Sequence, residues 1–524
     1  MLLRPASSLG PCAALCFTLA FATAADAQEN LTIGDAITRA LAKNRDIAIE
    51  RENVQQADAS IERARAAWDP TVRVDARYRD QQVPVTSILS GAPAGELAPT
   101  FREIASTASY SQLLASGASI TFSTSIARDS SNNILTLISP GWFTTFGAEI
   151  RQPLLQNRRI DPARRAIRIA TVSRDRNLAS LRRTVAETTA AVEQAYWTLV
   201  STDQEVEVRR ASIALAERQR DDVSARIEGK VTPESDIAQP NAEIARRRGD
   251  LLAAIEARAR AERSLKVLML ESAADPAWDV TFRPIDAPAP AVAAIDVQEA
   301  LRSAAKERPE LADVDTRLAL QDVELDAARD RLRPQLDLVG AYTTRGLAGA
   351  RNPGVQPFPG LPQTFPDQLQ GGIGDSLDSA LRHRFPDATV AVQLTIPLGH
   401  RAARADVASA QSVKRQTVDA RERLLLLIGL EVRNAVTAID TAAARMDAAR
   451  AARDAAEVQL QAEQDRFTAG LTTTFLVLTR QNDLATARLG ETSALAAWRR
   501  ALVELSRAKG TILAERNIDW TVTP

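Results

Sequence analysis

Few residues in this chain could carry chemistry, and their spacing argues against it. His383 and His400 are the only histidines. Each lacks a second ligand at helical spacing, so neither a metal centre nor any other cofactor is expected, and both are expected to face solvent. Gly371-Gly372-Ile373-Gly374 has the glycine density of a phosphate-binding loop. Such a loop needs a buried strand before it and a helix start with Lys-Ser or Lys-Thr after it; neither is present, and a flexible surface loop is expected. Arg246-Arg247-Arg248 has the charge to meet a nucleic acid. Acidic residues along the same helix and a net charge of −1 point instead to a solvated helix face or salt bridges between helices, with no nucleic-acid partner. No serine or pair of acids stands in a catalytic context. The chain does not read as an enzyme.

The elements that carry these residues begin with an address. Arg4, an apolar stretch from about Cys12 to Ala22, and Ala25-Asp26-Ala27 form a secretory leader, with cleavage expected between Ala27 and Gln28. The only cysteines, Cys12 and Cys16, lie in that leader, so no disulfide is expected in the mature chain. Pro11 and Leu15 precede them where a lipoprotein signal needs a small residue, so no lipid anchor is expected. No later run approaches the roughly 20 apolar residues of a membrane-crossing helix. Leu424 to Leu430 is walled by Arg423 and Glu431. A membrane segment would have to be built of strands.

The chain is also a duplication. At one fixed offset Ala36 matches Ala300, Asp58 matches Asp322, Ala64-Arg65 matches Ala328-Arg329, Pro70 matches Pro334 and Tyr78 matches Tyr342. Farther on, Gln152-Pro153-Leu154 aligns with Ile396-Pro397-Leu398, and Gly229 and Thr232 align with Gly470 and Thr473. Repeat 1 covers 28–290 and repeat 2 covers 291–524, with the boundary in the proline-rich stretch from Pro276 to Pro290.

Each repeat runs helix, strands, very long helix, short helix. The first helices, about Ile33 to Trp68 and Val297 to Leu332, stop before a proline. Strict alternation follows: Val72, Val74, Ala76 and Tyr78 interleave with Arg73, Asp75, Arg77 and Arg79, and Val390, Val392 and Leu394 interleave with Thr389, Ala391 and Gln393. One apolar face and one polar face suit a barrel with lipid outside and water inside. The stretches at about Asp80 to Pro99, Asp129 to Gly141 and Leu347 to Arg384 read as long loops. Trp142, Phe143 and Phe146 are expected in an interfacial aromatic girdle. Repeat 1 has the longer strand region, so an added hairpin near Ser116-Gly117 is expected.

From about Pro162 to Glu228 and Ala402 to Thr468 there is almost no Gly or Pro, enough for about 100 Å of helix at 1.5 Å per residue. Leu178, Leu181, Val185, Val192, Ala195 and Leu199 keep a coiled-coil 3/4 spacing. Shorter helices follow, at about Glu234 to Glu271 and Phe475 to Leu513. The fold class is mainly α with a β-barrel portion in two tandem repeats. At least four strands per chain cannot close a barrel alone, so strands must be pooled: eight in a dimer, twelve in a trimer.

The leader, the duplicated Asn44-Arg45-Asp46-Ile47 and Arg308-Pro309-Glu310-Leu311, the Gln152-Pro153-Leu154-Leu155 strand exit and the glycine-led distal turns together resemble the outer-membrane efflux protein family of TolC-like outer-membrane factors. The resemblance spans nearly the whole mature chain. It implies a homotrimer with a 12-stranded outer-membrane β-barrel, a 12-helix periplasmic α-barrel and an equatorial collar near the repeat boundary and the C-terminus. It implies a passive exit duct of a tripartite efflux or type I secretion system. The partners would be outer-membrane lipid, a periplasmic adaptor (membrane fusion) protein and an inner-membrane RND, ABC or MFS transporter.

The alternative is the adaptor itself, which would carry one coiled-coil hairpin and β-rich globular domains rather than two copies of strands and long helices. The periplasmic tip, where docking and gating are expected, comprises Gly229, Lys230, Thr232, Pro233, Asp236, Gly470, Leu471, Thr472 and Thr473. The family's aspartate after the second distal glycine is missing from Thr474-Phe475-Leu476-Val477; Asp236 is the nearest counterpart.

Overall fold

A computed structural model describes residues 28–287, 295–356 and 365–520. The expected leader through Ala27, and part of the proline-rich repeat boundary, lie outside these residues. In chain order the elements are β1 (Gln28–Leu31), α1 (Ile33–Lys43), α2 (Arg45–Arg65), β2 (Thr71–Gln82), β3 (Thr100–Leu113), β4 (Ser119–Ser131), β5 (Ile138–Pro153), α3 (Pro162–Glu228), α4 (Ala238–Met269), β6 (Thr281–Pro284), α5 (Val297–Glu307), α6 (Pro309–Asp330), β7 (Gln335–Arg351), α7 (Ile373–Leu381), β8 (Phe385–Thr395), α8 (Arg401–Thr468), α9 (Thr474–Lys509) and α10 (Ile512–Glu515). They form two compact units that cut across the expected repeats. The sheet unit takes residues 46–186, 296–433 and 508 onward; the turn unit takes those up to 45, 187–295 and 434–507.

In the sheet unit, alternating residues fold into one antiparallel sheet in the order β2-β3-β4-β5-β7-β8. It has six strands, where four was the minimum expected, because the added hairpin β3–β4 turns at Ser116-Gly117 with Gly117 at φ 86°. The pairings put Val72, Val74, Tyr78, Tyr110, Phe122, Phe146, Tyr342 and Val390 on one face. Arg73, Asp75, Arg77, Glu103, Asp129, Arg151 and Asp387 lie on the other. Trp142 and Phe146 share the apolar face, whereas Phe143, one residue on, faces the polar side and leaves the expected girdle.

Two further expectations need correction. The strands run past their expected ends, to Gln82, Ser131 and Arg351, and the stretch expected as a loop from Leu347 to Arg384 contains α7. Gly371-Gly372-Ile373-Gly374 is therefore the start of a helix rather than a flexible loop. Gly371 takes φ 145° and the Gly372 N–H donates to the Asp375 carboxylate at 2.8 Å. Periodicity missed this helix because it is only nine residues long.

Neither opening helix is continuous. Asn44 ends α1 at φ −64°, ψ 130°, and its counterpart Arg308 ends α5 at φ −68°, ψ 122°. At Arg308 the cause is local, since Pro309 disfavours helical backbone in the residue before it. At Asn44 the cause is tertiary: its amide donates to Leu268 O at 3.1 Å and the Arg45 guanidinium to Glu271 O at 2.8 Å, satisfying carbonyls at the end of α4. An ion pair recurs at the positions that the sequence matches, Asp58 and Asp322. Arg174 of α3 meets Asp58 of α2 at 2.6 Å, and Lys414 of α8 meets Asp322 of α6 at 2.5 Å. These half-exposed pairs contribute at most about 1 kcal/mol each but set which helices lie side by side.

The turn unit holds a parallel pair, β1 with β6, which alternation in so short a stretch did not signal. Gln28, the residue expected to follow cleavage, pairs with Thr281. The Tyr196 hydroxyl donates to Leu31 O (3.0 Å) and to Asp286 (2.6 Å). Burial and the Asp286 carboxylate push its pKa above the ordinary phenol value. The buried Lys266 ammonium donates to Trp278 O and Val280 O and pairs with Glu262 at 3.0 Å. The 3/4 pattern of α3 is buried at Val192 and Leu199. Arg247 belongs to no solvated face: 3% exposed, it bridges α4 to Ser212 O of α3 and to Gln481 of α9, while Arg246 and Arg248 pair with Glu243 and Glu217.

Candidate functional site

The two turns joining long to short helices lie side by side in the turn unit. The Arg226 guanidinium of α3 sits 4.1 Å over the Phe467 ring of α8 and donates to Phe467 O at 2.9 Å. A cation thereby meets both a π face and the carbonyl end of a helix. Val223, Phe467 and Val477 form the apolar floor, with Ile227 and Ile237 packed against it.

Both long helices end in the same hydrogen-bonded motif. In α3, Lys230 N–H donates to Ile227 O and Val231 N–H to Arg226 O; in α8, Gly470 N–H donates to Phe467 O and Leu471 N–H to Arg466 O. The left-handed residue is Lys230 (φ 57°) in the first turn and Gly470 (φ 75°) in the second. The structural equivalent of Gly470 is therefore Lys230 and not Gly229, which corrects the sequence alignment by one residue. Identity of the glycines set that alignment, whereas the hydrogen bonds follow Arg226 and Arg466.

Pro233 opens a short turn, Glu234–Ile237, with no side-chain cap. The Thr472 hydroxyl reaches back to the buried Glu463 carboxylate. Lys230, Pro233, Asp236 and Thr473 are exposed, and Thr232 is half-buried. The apex of each turn is an aliphatic side chain, Val231 at 74% and Leu471 at 78% exposure. Sequence reasoning named Leu471 but missed Val231, Arg226, Phe467 and Glu463. The recurrence of Arg226 and Arg466 at the same distance from each turn was the available signal.

A stability prediction follows from the corrected register. Lys230→Gly should stabilise the protein by about 1 kcal/mol by removing the cost of a left-handed side chain. Gly229→Ala should be neutral or better, since Gly229 is not in the left-handed region and its added Cβ meets only ordinary contact, 3.4 Å from Ala225 O. Thermal melts of the purified variants followed by helical dichroism check both; a destabilised Lys230→Gly would overturn the assignment.

Among the described residues no group of three or more His, Cys, Asp or Glu is gathered for a metal. His383 bonds through Nδ1 to the Tyr342 hydroxyl at 2.8 Å. No described helix is long and apolar enough to cross a membrane.

Residues 300–511, running from α5 through α9, match the family described as outer membrane efflux protein. No curated protein matches by sequence. Among solved structures, the chain is similar to the outer-membrane channel OprN, with 16% identity, 91% of this chain and 90% of that one covered, and a TM-score of 0.62. The CmeC outer membrane channel of Campylobacter jejuni aligns at 13% identity over 94% of this chain and 87% of its own, TM-score 0.61. The outer membrane protein VceC of Vibrio cholerae aligns at 14% identity over 91% and 96%, TM-score 0.61. The fold of helices and antiparallel sheet is thus shared along nearly the whole chain. Together with the sequence match over residues 300–511, this shared fold makes the chain similar to the outer membrane efflux protein family.

Proposed function

We propose that this protein is the outer-membrane exit channel of a tripartite efflux or secretion system, a conduit that performs no chemistry. The observation that carries the reading is the sheet. Its strands have 11 to 17 residues, long enough to span a bilayer at a tilt, with one face apolar and largely exposed and the other charged. Attached to it are helices of 67 and 68 residues, which suit a duct continuing into the periplasm. An adaptor has no use for such a sheet.

The copy number is part of the proposal. All six strands alternate in direction, so β8 of one copy can pair with β2 of the next without breaking the antiparallel pattern. Three copies then close at eighteen strands; twelve, as the resemblance implies for a trimer, would need four strands from each chain. We favour the trimer with the wider barrel, because the hairpin β3–β4 lies inside the sheet order and cannot be left out of the wall.

The paired turns are the proposed periplasmic tip. Val231 and Leu471 would dock in apolar grooves of the adaptor, and loosening of the Arg226–Phe467 contact would accompany opening. The proposed pathway begins with removal of 1–27 and assembly of the two repeats, 28–290 and 291–524.

The test is complementation of a strain lacking the gene. Wild-type protein should fractionate with the outer membrane and restore export, and Val231→Asp/Leu471→Asp should leave the assembled oligomer in the membrane while abolishing export. Recovery of the wild-type protein with the inner membrane or soluble periplasm would sink the channel reading. Normal export by the double variant would sink only the docking role of the turns.

A further inference from the structure

We infer that α7 lies on the outer wall of the barrel, where its apolar flank contacts outer-leaflet lipid, and that it is not a plug in the pore. The inference rests on the reading of the apolar sheet face as the lipid face.

Register decides which face α7 covers. Its partners on the sheet are Thr144 of β5 and Thr344 and Gly346 of β7: the Ser376 hydroxyl donates to Thr144 Oγ1 at 2.9 Å, and the Thr344 hydroxyl donates to Ala380 O at 2.8 Å. Thr144 pairs with Gly346, and Thr344 pairs with Phe146, so all lie on the face of Phe146, Tyr342, Val390 and Val392. Arg345 and Asp387 point to the opposite side. The seat is cut to fit. A Cβ at Gly346 would stand 1.8 Å from Ser376 O, so only glycine lets the helix backbone come this close. Ser376, Ser379 and Ala380 are buried against this strip of small side chains.

A helix at a lipid surface must satisfy its backbone internally and turn apolar atoms outward. Backbone groups just beyond both ends of α7 are bonded locally. Gly372 N–H is held by the Asp375 carboxylate, and the N–H groups of Arg382, His383 and Arg384 return to Asp378 O, Ala380 O and Ser379 O. For the second, Ile373 and Leu381 are 45% and 60% exposed and, with Leu377 between them, follow one another at four-residue spacing along one flank. Asp375 and Asp378 occupy the other flank, with Asp378 paired to Arg382 at 2.8 Å. Such a division suits a helix lying at the headgroup boundary. In the pore the same apolar flank would face water, and the helix would have to rest on the charged face, which it does not touch.

Residues from 28 onward include no cysteine, so single labels are clean. Spin labels on Leu381→Cys, Val392→Cys and Ser125→Cys, in the assembled protein in liposomes, would be compared for collisions with oxygen, which partitions into lipid, and with a water-soluble nickel chelate. The expected result is an excess of oxygen over nickel collisions at 381 and 392 and the reverse at 125, on the polar face. Lipid exposure at 392 with nickel exposure at 381 would overturn the placement of α7 alone. Nickel exposure at 392 would overturn the lipid-face reading beneath it.

Discussion

Gly510→Ala should destabilise the protein by about 3 kcal/mol, against about 1 kcal/mol for Gly470→Ala, although both glycines hold nearly the same backbone conformation. Their φ values are 74° and 75°, so the left-handed cost to an L-residue is common to both. The surroundings differ. A Cβ at Gly470 would meet nothing within 4 Å, whereas at Gly510 it would fall 2.8 Å from Glu307 C and 2.9 Å from both Arg308 N and Glu307 O. All three are backbone atoms at the break between α5 and α6, where no side chain can rotate away. Arg308 is itself 4% exposed and ion-paired to Glu431 at 2.6 Å, so a shift there also disturbs a buried charge. Urea unfolding of the two variants and the wild type, in one detergent and at one protein concentration, measures the difference. Equal losses at the two sites would mean that α9 does not end against this break.

The second large effect is covalent. Cysteines placed one on β2 (Val72, Val74 or Ala76) and one on β8 (Val390, Val392 or Leu394) of the same chain should oxidise into a ladder ending at a covalent ring of three copies. Within one chain β2 and β8 are opposite edges with four strands between them, about 24 Å apart along the sheet at 4.8 Å per strand, far beyond disulfide reach. Both edge strands are exposed along almost their whole length, as strands awaiting a partner would be. Pairing Val74→Cys with Thr389→Cys or Ala391→Cys, which face the other way, should not cross-link. On denaturing gels a trimer band supports eighteen strands and a dimer limit twelve; no intermolecular band at any register would end the shared-sheet proposal.

How much of this was legible in the sequence depends on the range of the interaction responsible. Alternation in β2 and β8 and the uninterrupted α3 and α8 are consequences of pleat and helix rise within a few residues, and the sequence shows them directly. The break before Pro309 is also local in cause, but the expected helix from Val297 to Leu332 ran through it. The match of Asp58 to Asp322 was legible as an identity at one fixed offset, and each aspartate makes an ion pair to a long helix. The break at Asn44 was not, because no proline causes it; the end of α4 does, far along the chain. The same holds for Arg247, expected on a solvated face or in a salt bridge between helices, which Ser212 O and Gln481 enclose.

At the site, the amino-acid sequence determined which stretches turn and that each turn follows a long helix. The register between the turns was decided by backbone hydrogen bonds, which placed Lys230 opposite Gly470 and set Val231 and Leu471 at the apices. The strand order, the number of strands in the wall and the seat of α7 at Gly346 belong to tertiary structure alone. A strand's partner and a glycine's neighbour are fixed by residues distant in the chain, and no local period records them.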